Sequence, residues 1–109
     1  MIPSQMLKGI LGGCILTVIS REETYGYEIS QKLRQMGFGN IAEGTIYPLL
    51  LRLTKNGCIC ATLKASDTGP ARKYYSLTDT GKEELAQFQK DWLELSTAVN
   101  HLIGENSHG

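Results

Sequence analysis

Residues 43–81, EGTIYPLLLRLTKNGCICATLKASDTGPARKYYSLTDTG, decide how this chain of 109 residues folds. Apolar residues recur at helical spacing in the first part, and Asn56-Gly57 ends that pattern because glycine favours the left-handed conformation that terminates a helix. Two segments of alternating apolar and polar residues follow, 58–64 and 72–77. The link between them, 65–70, is made of turn-forming residues, so we predict a β-hairpin directly after a helix.

Pro48 restricts where that helix begins. Proline has no backbone N–H and is tolerated only near the first turn. We therefore predict a helix that begins near Thr45, with Thr45 as its N-cap; the alternative is a helix with a kink at Pro48. Both place Thr45 and Tyr47 at the exposed N-terminal end. The predicted inward face is Ile46, Leu49, Leu50 and Leu53.

Two helices are predicted before this segment. The first spans residues 4–20, where apolar residues recur at helical spacing. The second spans residues 25–36, with Thr24 as its N-cap, and the two glycines of residues 37–40 end it. Arg52 and Glu28 are expected to form an ion pair between the second and third helices.

A last helix is predicted from its N-cap Thr78 to about Ile103. Apolar residues spaced alternately three and four apart form a heptad seam along it, which favours pairing with the same helix of a second copy. Packing against the first helix is the alternative, and the two are compatible. The seam, and hence the predicted dimer interface, is Leu85, Phe88, Trp92, Leu95, Val99 and Leu102.

The order of elements is typical of a mostly helical α+β fold, a winged helix-turn-helix with a C-terminal dimerisation helix. We expect a DNA-binding unit at 1–78, a dimerisation helix at 79–103 in the same compact unit, and a disordered tail at 104–109. In such folds the third helix enters the major groove, and its N-terminal residues reach the base edges.

The formal net charge is zero, but the charges are unevenly divided. Residues 1–78 hold nine Lys/Arg against five Asp/Glu, a net +4, and residues 79–109 hold two against six, a net −4. This pattern indicates either a basic face for an anionic partner or a chance division between two solvated surfaces.

Other classes of protein are disfavoured. Three cysteines, Cys14, Cys58 and Cys60, make a disulfide framework or a metal site improbable, so we interpret them as small apolar core residues in a reducing cytoplasm. The apolar segment 10–19 is too short to span a membrane. The sequence holds no nucleophile with a base, no phosphate loop and no paired carboxylates, so we predict neither an enzyme nor a cofactor.

The sequence resembles the PadR family of bacterial transcriptional regulators, which are mostly repressors. The resemblance extends from Met6 to about Ile103. The segments that carry it are YGYEI at 25–29, EGTIYPLL at 43–50, RL at 52–53, NG at 56–57, RKYYSLT at 72–78, and Gly81. The short C-terminal helix is similar to that of the smaller subfamily. Residues 6–25 together with Trp92 resemble the branch that binds planar aromatic drugs at the dimer centre.

The resemblance implies a homodimeric repressor that binds double-stranded DNA at a two-fold operator. Basic side chains would contact phosphates, and hydroxyls at the start of the third helix would reach bases or phosphates. The competing interpretations are a solvated hairpin, a capping Thr45, and tyrosines packed between helices. The predicted DNA-binding residues are Lys8, Tyr25, Tyr27, Thr45, Tyr47, Pro48, Lys64, Arg72 and Lys73.

Trp92, the only tryptophan, has two interpretations. It either packs in the dimer core or, with its symmetry mate, walls a cavity for a small aromatic ligand that changes DNA affinity. The predicted ligand-binding residues are Met6, Gly9, Gly13, Phe88 and Trp92. Two other functions remain open, a dimer that sequesters aromatic compounds and a winged-helix module that binds proteins.

Overall fold

The computed structural model describes the backbone of residues 2–108 and the side chains of residues 2–105. The elements are α1 (Ser4–Leu7), α2 (Leu11–Arg21), α3 (Gly26–Leu33) followed by a wider helical turn at Arg34–Phe38, α4 (Glu43–Lys55), β1 (Ile59–Ser66), β2 (Gly69–Leu77) and α5 (Asp79–His108). Helices enclose the core, and the antiparallel hairpin of β1 and β2, hereafter the wing, projects from it. The predicted winged helix-turn-helix fold is confirmed.

The first predicted helix is divided into two. A turn at residues 8–10 separates α1 from α2, and Ile10 before α2 has φ −114° and ψ −13°. Gly9 lies in this turn, where glycine's low helix propensity favours a break. After the break, α2 buries one face of the helix in the core, with Leu11, Ile15, Leu16 and Ile19.

Thr24 is not the N-cap of α3, which corrects the prediction. The N-cap is Tyr25, and Thr24 is buried beside the wing. The Thr24 N–H donates to the Tyr75 carbonyl (3.3 Å) and the Tyr75 N–H donates to the Thr24 carbonyl (2.7 Å). The Thr24 hydroxyl donates to Glu28 Oε1 (3.0 Å). A long-range backbone bridge therefore fixes this threonine in extended geometry.

The expected ion pair between Arg52 and Glu28 is not formed. Among residues 2–105, the carboxylate–cation pairs within 4 Å are Lys64–Glu23 and Lys82–Asp79. Glu28 instead accepts the hydrogen bond from Thr24, a neighbour one helical turn away.

The third helix begins earlier than predicted. Its N-cap is Ala42 and it starts at Glu43, so Thr45 lies inside the first turn, where its N–H donates to the Ala42 carbonyl (2.9 Å). Pro48 is therefore within the helix. The proline removes the hydrogen bond to the carbonyl of Gly44, and both residues are exposed, so water can solvate that carbonyl. The predicted inward face is confirmed, because Ile46 and Leu50 are buried while Leu49 and Leu53 pack against the core.

The helix stops and the hairpin follow the prediction closely. Gly37 and Gly57 have φ of 102° and 78°, the left-handed geometry that ends a helix. The strands pair from Ile59 opposite Leu77 to Lys64 opposite Arg72, with an irregularity between Lys64 and Ser66. Each strand extends further toward the turn than its alternating pattern indicated.

Thr78 caps α5 as predicted. Its hydroxyl accepts from the Gly81 N–H (3.0 Å) and also donates to the Gly57 carbonyl, while the Thr78 N–H donates to the Cys58 carbonyl (3.1 Å). The helix continues to His108, past the predicted end near Ile103. The predicted tail at 104–109 is thus helical as far as His108, and Gly109 lies outside the described residues.

The predicted seam of α5 divides into a packed and an exposed part. Leu85 is buried and Phe88 packs against the core. Beyond them the seam residues are exposed: Trp92 by 47%, Leu95 by 54%, Val99 by 43% and Leu102 by 60%.

The cysteines are free thiols with different surroundings. Cys58 is buried and Cys14 half-buried, as expected of core residues, and burial raises the pKa of both thiols. Cys60 is exposed, with its sulfur 3.3 Å from the Ser76 hydroxyl, so its interpretation as a core residue is wrong. In the described chain, no helix is long and apolar enough to cross a membrane, and no cluster of three or more His, Cys, Asp or Glu side chains is arranged to hold a metal ion.

Gly81 permits the close approach of α5 to the start of β1. A Cβ at this position would overlap the Cys58 carbonyl oxygen and lie 2.9 Å from its carbon, which is backbone that cannot rotate away. We expect Gly81→Ala to lower the free energy of unfolding by about 1–3 kcal/mol, as overpacking does.

Urea unfolding of the purified protein measures this change, with Gly12→Ala in α2 as the matched control. A Cβ at Gly12 meets nothing within 4 Å. The control should therefore raise stability by about 0.5–1 kcal/mol through helix propensity. Equal stability of the two variants would contradict the packing seen at Gly81.

The ionisation of Tyr75 makes the free energy of unfolding depend on pH in the alkaline range. Burial, and secondarily the nearby Tyr47 hydroxyl, raise the pKa of Tyr75 above its usual 10.0. An acid with a raised folded-state pKa favours the folded state while it stays neutral. This contribution is fully present below pH 10.0 and is lost as the pH rises through the raised pKa of Tyr75.

We therefore expect the free energy of unfolding to fall as the pH rises above about 10, and to fall less steeply in Tyr75→Phe. Tyr27→Phe is the matched control, because it removes the hydroxyl of a tyrosine that is 52% exposed. Denaturant unfolding across this pH range gives the slopes. Indistinguishable slopes for Tyr75→Phe and the unchanged protein would show that Tyr75 does not carry the effect.

Candidate nucleic-acid interface

The wing separates the three cations that the sequence predicts to form one cluster. Successive residues of a strand point to opposite faces, and directly paired residues share a face. Lys64 is paired with Arg72, so these two share one face, while Lys73 is paired with Leu63 on the other. The single cluster is therefore wrong: Lys64 and Arg72 are together, and Lys73 stands apart.

The face with Lys64 and Arg72 is bound to the chain between α2 and α3. Arg72 Nη1 donates to Tyr25 Oη (2.8 Å), and Arg72 Cζ lies 4.6 Å from the centroid of the Tyr25 ring. The Tyr25 and Tyr74 rings are 5.2 Å apart and tilted by 60°. Lys64 forms an ion pair with Glu23, and its Nζ lies 5.2 Å from the Tyr74 centroid. Both cations thus have partners within the chain.

The opposite face of the wing, together with Arg72, forms one wall of an open groove of about 610 Å³. Its other walls are α4 and the start of α3. Lys73 is exposed here, and within the described chain it has no ion pair, hydrogen bond or ring contact. The groove is lined by Tyr25, Gly26, Tyr27, Tyr47, Leu51, Thr54, Ala61, Ala71, Arg72, Lys73 and Tyr75.

Gly26 sets the position of Tyr47 in this groove. A Cβ at Gly26 would lie 2.8–2.9 Å from the ring and hydroxyl of Tyr47, so the aromatic ring packs directly on the backbone of α3. Tyr47 remains 47% exposed and Tyr27 is 52% exposed. Two phenol groups on neighbouring helices therefore face solvent beside Lys73, and each can donate a hydrogen bond to a phosphate or a base.

Lys8 and Thr45 lie at a second groove, of about 620 Å³, between α1 and the start of α4. Both residues are exposed. The first turn of α4 also contains Glu43, and its negative charge opposes an anion at this helix N-terminus. The groups at this end that can bind an anion are therefore the Lys8 ammonium and the Thr45 hydroxyl.

The structure brings most of the predicted residues to two adjacent grooves. Tyr25, Tyr27, Tyr47, Arg72 and Lys73 line the first, and Lys8 and Thr45 line the second. Pro48 is exposed on α4 next to Tyr47, and Lys64 lies on the reverse face of the wing.

Three residues of the interface were missed by sequence reasoning. Leu51 is 72% exposed and lines the first groove, and its spacing of four from Tyr47 signals a shared helix face. Tyr74 shares a wing face with Arg72, which the period of two would have indicated. Glu23 carried no such signal, because its pairing with Lys64 joins positions 41 residues apart.

The five predicted ligand-binding residues differ from one another in their surroundings and exposure. Phe88 packs directly over Gly13, whose Cβ would overlap the ring, so this chain fills that space itself. A Cβ at Gly9 meets nothing within 4 Å. Met6 is 71% exposed and Trp92 is 47% exposed, which leaves apolar surface uncovered on α1 and α5.

The chain is similar to a family of transcriptional regulators in both sequence and structure. The transcriptional regulator PadR-like family matches residues 15–87, which contain α3, α4 and the wing. A PadR-like transcriptional regulator of Bacillus cereus has a similar crystal structure: the TM-score is 0.82 and the identity 57%, over 91% of this chain and 96% of that one.

A relative with a stated role is the negative transcriptional regulator PadR of Bacillus subtilis. It is 35% identical over 86 residues, which are 77% of this chain and 45% of that protein. The crystal structure of Bacillus subtilis PadR in complex with operator DNA has a TM-score of 0.66 at 34% identity, with the same coverage. This chain therefore spans less than half the length of that relative.

Proposed function

The chain belongs to the transcriptional regulator PadR-like family, and on that premise we propose that it binds DNA as a repressor of transcription. Members of this family are transcriptional regulators and not enzymes. A negative regulator and a structure with operator DNA among its relatives support this role. Such a regulator works where bacterial DNA is, so we place it in the cytoplasm.

The groove between α4 and the wing carries the proposal. It combines Lys73, a cation with no partner among the described residues, with the exposed phenols of Tyr27 and Tyr47 beside the proposed recognition helix. Cations neutralise phosphates, and side chains on a recognition helix reach base edges in the major groove. We propose that the DNA-binding surface is built from the predicted set: Lys8, Tyr25, Tyr27, Thr45, Tyr47, Pro48, Lys64, Arg72 and Lys73.

We propose further that the protein is a homodimer joined through α5. The seam residues from Trp92 to Leu102 are 43–60% exposed, which leaves an apolar stripe along the second half of the helix. A second copy that covers this stripe about a two-fold axis removes it from water. Two α4 helices would then enter successive major grooves, about 34 Å apart, on a two-fold operator.

Binding to DNA from upstream of its own gene tests the function. We expect a gel shift at low salt that weakens as salt increases, because released counterions drive phosphate binding. Lys73→Gln removes one cation from the groove. It should therefore weaken binding and reduce the slope of log K against log salt by about 1.

Lys90→Gln is the matched control, because Lys90 is an exposed lysine on α5, away from both grooves. It should leave affinity and salt slope unchanged. Absence of any shift at low salt would refute the proposed function. Binding that is insensitive to both salt and Lys73 would instead favour a protein-interaction module.

We also propose that a small planar aromatic ligand binds at the dimer centre and relieves repression. The uncovered Trp92 and Met6 support this, because indoles and thioethers make favourable contacts with flat aromatic molecules. The ligand site would comprise Met6, Gly9, Phe88 and Trp92 of both copies, with Gly13 beneath Phe88. The ligand would act by favouring one separation of the two DNA-binding heads.

Titration with a planar cationic dye tests this second step. We expect quenching of Trp92 fluorescence, and a DNA affinity that falls as the dye saturates the protein. Trp92→Leu should abolish the effect of the dye on DNA affinity, while Leu93→Ala, a change at an exposed neighbour, should keep it. Quenching without any change in DNA affinity would favour a protein that sequesters aromatic compounds.

A further inference from the structure

We infer that Arg72 and Tyr25 position the wing, and that Lys73 on the opposite face makes the wing's direct contact with phosphate. The inference rests on the proposed function and divides the predicted DNA-binding set into contact and positioning residues. We use the name wing brace for the group Glu23, Tyr25, Lys64, Arg72 and Tyr74.

The wing brace joins the wing to the segment between α2 and α3 through side chains. Arg72 lies over the Tyr25 ring, with Cζ 4.6 Å from its centroid, and donates to the hydroxyl of the same residue at 2.8 Å. One tyrosine thus fixes the guanidinium by its ring and its oxygen. Tyr74 adds a ring contact to Tyr25 at 5.2 Å. Each contact is weak at an exposed site, so the position of the wing depends on their combination.

Backbone hydrogen bonds hold the same two segments together. The paired N–H and C=O groups of Thr24 and Tyr75 form a β-bridge directly beside Tyr25 and Tyr74. The bridge fixes the base of the wing at Tyr75, and the brace extends this attachment three residue pairs further along the strands, to Arg72 and Lys64. Beyond Lys64 the register of the two strands is irregular.

The cations of the two wing faces differ in whether they have partners within the described chain. Lys64 is paired with the carboxylate of Glu23, so that pair adds no net charge for a phosphate to meet. Lys73 has no partner within the described chain and faces the groove shared with Tyr27 and Tyr47. A phosphate can therefore bind Lys73 without breaking any contact within the described chain, whereas the guanidinium of Arg72 is already held on the ring and the hydroxyl of Tyr25.

The salt dependence of DNA binding distinguishes a contact from a positioning residue. The full chain is titrated into one labelled duplex from upstream of its gene at several salt concentrations. Removal of a direct phosphate contact lowers the slope of log K against log salt by about 0.9. We expect this decrease for Lys73→Gln. For Arg72→Gln we expect weaker binding with an unchanged slope.

A double-mutant cycle tests whether Arg72 acts through Tyr25. Tyr25→Phe removes only the hydroxyl that accepts from Arg72. The double variant Tyr25→Phe with Arg72→Gln should therefore bind as Arg72→Gln alone does, to within about twofold. Tyr27→Phe is the matched control two residues away, and its effect on affinity should multiply with that of Arg72→Gln.

Arg72→Lys provides a conservative variant that keeps the charge. A lysine can still contact a phosphate as a point charge but lacks the planar guanidinium that lies on Tyr25. We expect Arg72→Lys to weaken binding as much as Arg72→Gln. Retained affinity in Arg72→Lys, or a slope that falls in Arg72→Gln as it does in Lys73→Gln, would overturn the inference. Failure of the unchanged chain to bind DNA refutes the proposed function instead.

Discussion

The backbone bridge between Thr24 and Tyr75 is the constraint on which the candidate interface depends. A two-stranded hairpin is marginally stable alone and needs packing against another element. Here the two hydrogen bonds of the bridge make Thr24, two residues before α3, a short third partner of the wing. They place the wing beside α3 and α4, so that Lys73, Tyr27 and Tyr47 line one groove. Without this bridge, Lys73 on the wing would no longer be held beside Tyr27 and Tyr47.

Local patterns in the sequence predicted the elements of the fold, and long-range contacts decided the details that were wrong. The inward face of α4, the glycine stops, the hairpin and the cap Thr78 each depend on neighbours within a few residues, so spacing alone indicates them. Thr24 has the composition of an N-cap, but its bridge partner lies far away in sequence. The start of α4 was misplaced because exposure of Pro48 and Gly44 lets water solvate the freed carbonyl.

The structure corrects the predicted grouping of the wing cations, while the role of the predicted residues in DNA binding stays a prediction. Sequence reasoning counted Lys64, Arg72 and Lys73 as one cluster, although adjacent residues of a strand cannot share a face. The alternation of side chains that predicts the two strands also predicts that Arg72 and Lys73 lie on opposite faces of the wing. The ion pair of Lys64 with Glu23 could not be predicted from the sequence, because no local pattern connects the two residues. Charge counts identify a basic segment, but only tertiary contacts show which cations remain available to a partner.

The length of α5 connects the proposed dimer to the proposed DNA-binding surface. A helix of 30 residues is about 45 Å long, and Leu85 and Phe88 in its first turns pack on the core of this chain. The rest presents Trp92 and the later seam residues to solvent. Because α2 packs against α5 and leads directly to Glu23 and Thr24, the packing of α5 and the anchor of the wing share one rigid helix. In the proposed dimer, any change in how two α5 helices pack would therefore change the separation of the two wings.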